Sequence, residues 1–166
     1  MSRNTSINAK FLTDLERIFD GTRGQLQAIA KEALLEAGKR LVDYSPVGDP
    51  STWQNPKRAL YPKDHPYQPG TFKNNWQVGI DVKPTEEEIS GPDIDGHDSL
   101  DRLSHLGRWQ LDHKYYFVNN LPYAKLLEFG WSPQIQPHGM VGRIKMEWKQ
   151  IVKDAVHSYN KQEGFS

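Results

Sequence analysis

The sequence contains no cysteine. This absence excludes disulfide bonds, catalysis by a thiolate and zinc sites built on cysteine ligands. No apolar run approaches the roughly 18 residues that are needed to cross a bilayer, and the first ten residues lack the apolar core of a secretion signal. The sequence therefore predicts a protein that is made and folded in the cytoplasm and has no membrane segment.

Neither sign of charge is in excess, because 21 basic residues balance 21 acidic residues. Tight binding of nucleic acid usually needs a basic excess that neutralises phosphates, so this class of function is disfavoured. The charges are nevertheless unevenly distributed: residues 81–112 hold nine acids and three Lys or Arg, and residues 143–161 hold five basic and two acidic residues. Opposed patches favour contacts between like subunits around a ring, or between stacked rings. Two solvated faces are the alternative interpretation.

Motifs for covalent or phosphate chemistry are also missing. There is no strained serine turn of the Gly-x-Ser-x-Gly kind and no glycine-rich phosphate loop that ends in lysine. The six histidines are scattered, and the eight-residue spacing of His97, His105 and His113 matches no common pattern of metal ligands. The sequence therefore predicts a protein that is not an enzyme and takes no cofactor.

One acidic segment, Asp93-Ile-Asp-Gly-His-Asp98, has the composition of a metal-binding loop. A calcium loop of the EF-hand type needs acidic ligands at positions 1, 3 and 5, glycine at position 6 and glutamate at position 12. Here His97, Asp98 and Ser104 occupy the last three of these positions. We therefore predict no metal, and a solvated acidic turn that caps a helix at Ser99. The alternative from another class is a metal-dependent hydrolase that uses Asp93, Asp95, His97 and His105.

Two long helices are predicted from apolar side chains at three- and four-residue spacing. The first covers residues 8–44 and is interrupted at residues 21–24, where two glycines predict a kink or a break. The last covers residues 139–159. Its apolar stripe is predicted to comprise Val141, Ile144, Trp148, Ile151, Val152, Ala155 and Tyr159.

Shorter elements lie between these helices. Residues 72–82 alternate in polarity, which predicts a half-buried strand with Trp76, Val78, Ile80 and Val82 on its buried face. Residues 114–119 are rich in aromatics and predict a second strand. Residues 99–111 and 122–129 are predicted to be short helices, the second opened by proline and ended by Gly130. Residues 83–92 are predicted to form an edge strand or a hairpin arm.

The predicted fold class is α+β in one domain over residues 1–166. A small antiparallel sheet packs against the long N-terminal and C-terminal helices, and residues 83–113 form an acidic insert with a short helix. Residues 45–70 are rich in proline and glycine and predict a long ordered loop or arm. Its aromatic side chains are expected to pack on the body or on an adjacent subunit: Trp53, Tyr61 and Tyr67.

An ordered series of motifs goes beyond these general patterns. Tyr116-Phe-Val-Asn-Asn-Leu-Pro-Tyr-Ala-Lys-Leu-Leu-Glu-Phe-Gly130 is followed by Ser132-Pro-Gln134 and by Gln136-Pro-His-Gly-Met-Val141, which opens the last helix. Upstream are Tyr44-Ser-Pro-Val47 and Pro69-Gly-Thr-Phe-Lys-Asn-Asn-Trp76. This series resembles the tail-component or tail-completion family of long-tailed bacteriophages, of the minor tail protein Z type. The resemblance covers about residues 26–158. The chain departs from the family in its longer loop at residues 48–68 and in Gln136, where alanine is common.

The resemblance implies a structural protein of the virion that forms a ring at the head–tail junction and is assembled in the host cytoplasm. The implied partners are copies of itself, in a ring of six or of twelve, together with the tail terminator, the tail tube and the head-side connector. Genomic DNA would pass through the lumen without specific binding. The alternatives within the virion are the tail terminator itself and a head-side adaptor ring.

Eight residues are candidates for the subunit interfaces. Aromatic side chains are frequent anchors of protein contacts, since they offer large and stiff surfaces, and the lysines lie in the basic stretch of the last helix. The candidates are Trp53, Tyr61, Tyr67, Tyr123, Phe129, Trp131, Lys149 and Lys153.

Overall fold

A computed structural model describes residues 4–49, 68–104, 110–130 and 138–164, with side chains from residue 20 onward. The first long helix, α1, covers Asn4–Tyr44, and a 3-10 turn at Lys73–Asn75 leads into strand β1 (Gln77–Ile80). The remaining elements are α2 (His97–Ser104), β2 (Tyr115–Val118), α3 (Ala124–Glu128) and α4 (Gly139–Gln162).

The fold is α+β, as predicted. Strands β1 and β2 pair antiparallel, with Gln77 opposite Val118 and Ile80 opposite Tyr115. The sheet packs its partly buried side chains, including Val78 and Phe117, against a core to which helices from both ends of the chain contribute. The buried members of this core are Leu41, Val42, Phe72, Trp76, Leu103, Leu121 and Met140.

Helices α1 and α4 pack against each other in antiparallel orientation. The end of α1 meets the start of α4, where the Ser45 hydroxyl lies 3.5 Å from the sulfur of Met140. Earlier residues of α1 pack beside later residues of α4 in a second buried cluster, formed by Ala33, Ala37, Ile151 and Ala155. The small alanine side chains allow the two helix backbones to approach closely, and this pairing orients the exposed surface of α4.

Helix α1 is continuous through Gly21 and Gly24, so the predicted kink or break is wrong within the described backbone. A methyl group placed on either glycine would meet nothing within 4 Å. Neither glycine is therefore required by packing. Each lowers the helix propensity by about 1 kcal/mol relative to alanine, which the neighbouring turns tolerate.

The predicted first strand is shorter than its polarity pattern indicated. Residues 73–75 form a 3-10 turn, β1 ends at Ile80, and Asp81 adopts a left-handed conformation with a φ of 60°. Val82, which was predicted to lie on the buried face, is 76% exposed. Residues 83–92 form neither an edge strand nor a hairpin arm, because their backbone groups bond to asparagine side chains, as described below.

The boundaries of the other predicted elements shift by a few residues. Helix α2 begins at His97 and ends at Ser104, and Leu111 lies in a turn and not in the predicted helix. The elements predicted at residues 114–119 and 122–129 are confirmed as β2 and α3. Within the described ranges, no helix has the length and apolar character that crossing a membrane requires.

Candidate assembly surface

The segment between β2 and α4 carries most of the family-like motif, and its polar side chains hold other parts of the chain together. The Asn119 amide donates to the Phe72 carbonyl at 2.8 Å. The Asn120 amide donates to the carbonyls of Pro84 and Glu86, at 3.1 and 3.0 Å. Asn119 therefore anchors the end of β2 to the turn that precedes β1, and Asn120 anchors it to the segment that follows β1.

Two of the aromatic interface candidates in this segment have different environments. The ring of Tyr123 is half-buried and lies 6.1 Å from the ring of Phe72, in contact with the core. Phe129 is 80% exposed at the end of α3. The structure thus gives Tyr123 a packing role in the monomer, and it leaves Phe129 available for a contact with another molecule.

The side chain of Glu128 caps the N-terminus of α4. Its carboxylate accepts hydrogen bonds from the backbone N–H groups of Met140, Val141 and Gly142, at 2.9, 3.1 and 3.1 Å. The first N–H groups of a helix have no partner within the helix, and the helix dipole favours a negative charge there. Glu128 satisfies both requirements and fixes where α4 starts.

Replacing Glu128 with alanine should lower the free energy of unfolding by about 2 kcal/mol, because three helix N–H groups lose a charged acceptor. Chemical denaturation with circular dichroism measures this change. Lys125→Ala is the matched control, since Lys125 is exposed one turn earlier on α3, and it should change stability by less than about 0.5 kcal/mol. Equal stabilities of the two variants would contradict the capping role.

Helix α4 has a buried face and, beside it, an exposed apolar face. Met140, Ile151 and Ala155 are buried against the rest of the protein. Val141, Trp148 and Val156 are exposed, Trp148 to 41%. The predicted single stripe therefore separates into two, and its inclusion of Val141 and Trp148 with the buried residues is corrected.

Three lysines lie beside the exposed apolar face of α4. Lys145, Lys149 and Lys153 follow one another at four-residue spacing and are all exposed. Residues four apart lie on the same side of an α-helix, so they form a basic row. Lys149 and Lys153, two of the interface candidates, thus lie on the surface. We name the combined surface the α4 stripe, and it comprises Val141, Lys145, Trp148, Lys149, Lys153 and Val156.

A network of ion pairs fixes the rotation of α4 against α1. The Glu147 carboxylate accepts hydrogen bonds from Arg40 at 2.9 Å, from the Tyr44 hydroxyl at 2.8 Å and from Arg143 at 2.9 Å. The Arg143 guanidinium also lies 3.6 Å from the centre of the Tyr44 ring. Burial raises the pKa of Glu147, but the hydrogen bonds from these three partners outweigh burial and hold the pKa at about 2.

The low pKa of Glu147 predicts a pH-dependent loss of stability. The ordinary pKa is 4.5, so the ionised carboxylate stabilises the fold above that pH, and this stability is lost as the pH falls from about 4.5 towards 2. The contribution is on the order of 2 kcal/mol after allowance for solvent screening. Glu147→Gln should lower stability at pH 7 and flatten the dependence of the unfolding midpoint between pH 5 and about 2. Glu163→Gln, at the exposed end of α4, is the control, and an unchanged dependence in Glu147→Gln would contradict the network.

A second exposed surface, the acidic loop, comprises residues 81–98. Its exposed acids are Asp81, Glu86, Glu87, Glu88, Asp95 and Asp98. Three apolar side chains are exposed among them: Val82, Ile89 and Ile94. Since Lys83 is its only Lys or Arg, the loop is strongly negative and also partly apolar.

Buried asparagines hold the acidic loop in place. The Asn75 amide donates to the carbonyls of Thr71 and Ser90, both at 2.7 Å, and its oxygen accepts from the N–H groups of Ile89 and Ser90 at 2.8 and 3.1 Å. The neighbouring Asn74 bonds to Gly91, Asp98 and Ser99 in the same manner. The sequence does not indicate this role, because nothing in the spacing of Asn74 and Asn75 relates them to residues 89–99.

The acidic turn at residues 93–98 caps α2, as predicted, although the helix starts at His97. Asp93 accepts hydrogen bonds from the N–H groups of Asp95 and His97, at 2.9 and 3.1 Å. The bond from Asp95 is the main cause of the lowered pKa of Asp93, about 2, and the ring of His97 adds to it against the opposing effect of burial. Both carboxylate oxygens of Asp93 are therefore already engaged.

The candidate metal ligands are close to one another only in part. One potential ligand atom from each of Asp93, Asp95 and His97 lies within 4.8 Å of the other two. Asp95 and His97 are exposed. Three such atoms could hold a divalent cation. The fourth predicted member, His105, lies outside the described residues.

Four interface candidates, and most of the predicted loop at residues 45–70, also lie outside the described residues: Trp53, Tyr61, Tyr67 and Trp131.

Comparisons of the chain with protein-family models, with curated proteins and with solved structures give no match. The functional interpretation therefore depends on the motifs and on the two surfaces.

Proposed function

We propose that this chain is a structural protein of a tailed bacteriophage and forms a ring at the junction of head and tail. The observation that carries the proposal is the α4 stripe, an exposed apolar face with a tryptophan at its centre and lysines beside it. Exposed apolar patches mark contacts with other proteins, and tryptophan is enriched among the residues that dominate binding energy. Such a surface suits a subunit that completes its burial against its neighbours.

The resemblance of the motifs to those of tail-completion proteins supports the proposed position in the particle. Several described residues of these motifs stabilise the fold through hydrogen bonds. Asn75 and Asn120 hold the acidic loop, and Glu128 caps α4. A motif of this kind preserves the shape and orientation of surfaces, which is what a ring subunit requires.

The proposed ring has six copies, to match the six-fold tail, and a ring of twelve is the alternative stoichiometry. Its neighbours would be the tail terminator, the tail tube and the head-side connector. The balanced charge of the chain supports a lumen through which genomic DNA passes without specific binding. The tail terminator and the head-side adaptor ring remain the alternatives within the virion.

A nonsense mutation early in the gene, in the phage that carries it, tests the proposed position. The expected result is an accumulation of complete heads and complete tails that do not join, as seen by electron microscopy. Supplying the protein from a plasmid should restore joined particles. Tails of abnormal length would indicate the tail terminator instead, because a terminator stops polymerisation. A normal yield of infectious particles without the protein would contradict the proposal.

The hydrolase alternative depends on the group of Asp93, Asp95 and His97. Elemental analysis of the purified protein after incubation with zinc, manganese or calcium and desalting tests it directly. An equimolar metal that is lost in Asp95→Ala would favour the alternative. An Asp154→Ala variant, which removes an exposed acid from α4, is the control.

A further inference from the structure

The α4 stripe and the acidic loop have complementary properties. The stripe presents three lysines beside Val141, Trp148 and Val156, and the loop presents six exposed acids around Val82, Ile89 and Ile94. Each surface therefore combines an apolar part with a charge of one sign. Apolar contact supplies affinity, and opposite charges fix the partner and the register.

Helix α4, which carries the stripe, and the acidic loop contact different sides of α1, as the directions of the α1 side chains show. Arg40 and Tyr44 bond to Glu147 and so face α4. Gly38 and Val42 face the other way: a methyl group on Gly38 would lie 2.5 Å from Leu103 of α2, and one on Gly96 of the acidic loop would lie 2.8 Å from Val42. Residues two positions apart point in nearly opposite directions on an α-helix. Helix α4 and the acidic loop of one chain therefore contact different sides of α1.

The acidic loop is also held in a fixed shape before any partner binds. Besides the asparagine bonds, Arg102 donates to the Trp76 carbonyl at 3.0 Å and to the Ser90 hydroxyl at 2.8 Å. Trp76 in turn bonds to Ser45 at the end of α1. A preorganised surface loses less conformational entropy on binding, so this irregular segment is suited to a specific contact.

We propose that the α4 stripe of one copy docks on the acidic loop of the next copy, so that the copies join head to tail. Complementary surfaces on different sides of a subunit form a heterologous contact, which generates a closed ring when the rotation between copies closes. This inference rests on the proposed ring function, and it names the partner of the α4 stripe as a second copy of this chain. Lys149 and Lys153 then meet acids of the run Glu86, Glu87 and Glu88.

Charge reversal in the purified chain tests the contact, with sedimentation velocity over a wide range of protein concentrations at low salt. Lys149→Glu with Lys153→Glu should weaken self-association at least 100-fold, and so should Glu86→Lys with Glu87→Lys and Glu88→Lys. Raising the salt to about 1 M should also weaken the wild-type complex, since the Debye length falls to about 3 Å. Lys125→Glu with Glu163→Lys, at exposed sites outside both surfaces, should change self-association less than threefold.

Combining the two sets of charge reversals in one chain tests whether self-association is restored. A chain that carries both sets of reversals exchanges the charges of the two runs that are proposed to meet, Lys149 and Lys153 with Glu86, Glu87 and Glu88, so it should associate with itself to within about tenfold of the wild type. Damage to the fold would not be repaired by adding further substitutions, so this variant separates lost contact from lost structure. Continued failure of the exchanged chain to associate would overturn the inference, and so would a wild-type chain that stays monomeric at every concentration.

The absence of cysteine permits a direct map of the contact. Met146→Cys and Thr85→Cys, at exposed positions beside the two charged runs, should together give a ladder of disulfide-linked oligomers on oxidation, and each alone should give far less. A tail protein captured by the cysteine at position 146, in place of a second copy, would identify another occupant and overturn the inference. If the ladder forms in solution but the nonsense mutant still joins heads to tails, the inference survives and the proposed function fails. If the mutant fails to join them and no ladder forms, the proposed function survives and the inference fails.

Discussion

Asn75→Ala is expected to lower the free energy of unfolding by about 4 kcal/mol, a large part of the 5–15 kcal/mol that is typical of a folded domain. Asn75 is fully buried, and its four hydrogen bonds join Thr71 to Ile89 and Ser90. Alanine removes all four bonds and leaves backbone groups without partners, at about 1–3 kcal/mol for each group that stays dry. Urea denaturation, followed by fluorescence, measures the loss.

Two further variants define this effect. Asn160→Ala removes an amide from the last turns of α4 and should change stability by less than about 1 kcal/mol. Asn75→Asp keeps an acceptor for Ile89 but introduces a buried charge and loses both donors, so it should also destabilise strongly. If Asn75→Ala were as stable as Asn160→Ala, the acidic loop would not depend on this side chain for its position.

Gly139→Ala is the second change with a large expected effect, about 3 kcal/mol or more. Gly139 opens α4 with a φ of 68°, a conformation that costs an alanine roughly 1–2 kcal/mol. The added methyl group would lie 2.2 Å from the carbonyl oxygen and 2.5 Å from the carboxylate of Glu128. The substitution therefore strains the backbone and displaces the side chain that caps the helix.

Gly142→Ala is the matched control on the same helix. Its added methyl group would come no closer than 3.4 Å to its neighbours, and Gly142 is not among the glycines with positive φ. Since alanine favours the helix by about 1 kcal/mol over glycine, this variant should be as stable as the wild type or more so. Thermal and chemical unfolding of both variants provide the comparison. Equal stability of Gly139→Ala and Gly142→Ala would contradict the described start of α4.

The fold class could be predicted from the sequence because its strongest periodic signals are local. The pattern of apolar residues after Gly139 predicted α4, and the aromatic residues of 114–119 predicted β2 to within a residue of each end. The local pattern gave the wrong secondary structure where a side chain that is distant in the sequence determines the backbone conformation. Residues 83–92 look extended in isolation, but Asn75 binds the backbone groups that a neighbouring strand would have needed.

The candidate surface was predictable only in part, for a related reason. Exposed lysines on a helix follow from their chemistry, so Lys149 and Lys153 were identified. The exposure of Trp148 could not be predicted, because the apolar stripe of α4 is wider than the surface of α1 that covers it. Only one edge of the stripe is therefore buried. Arg40 and Tyr44 of α1 decide which side, through bonds to Glu147 that no local pattern contains. In the same way, the contact with Phe72 that places Tyr123 against the core joins residues far apart in the chain.

Electron cryo-microscopy of the neck of the proposed virion tests whether this chain forms a ring at the head–tail junction. We expect a closed ring of this fold between the head-side connector and the tail, present in particles that have joined and absent from those of the nonsense mutant. The predicted number of copies is six. A neck whose density is fully explained by other proteins, in particles that are infectious, would contradict the assignment of this chain to the head–tail junction.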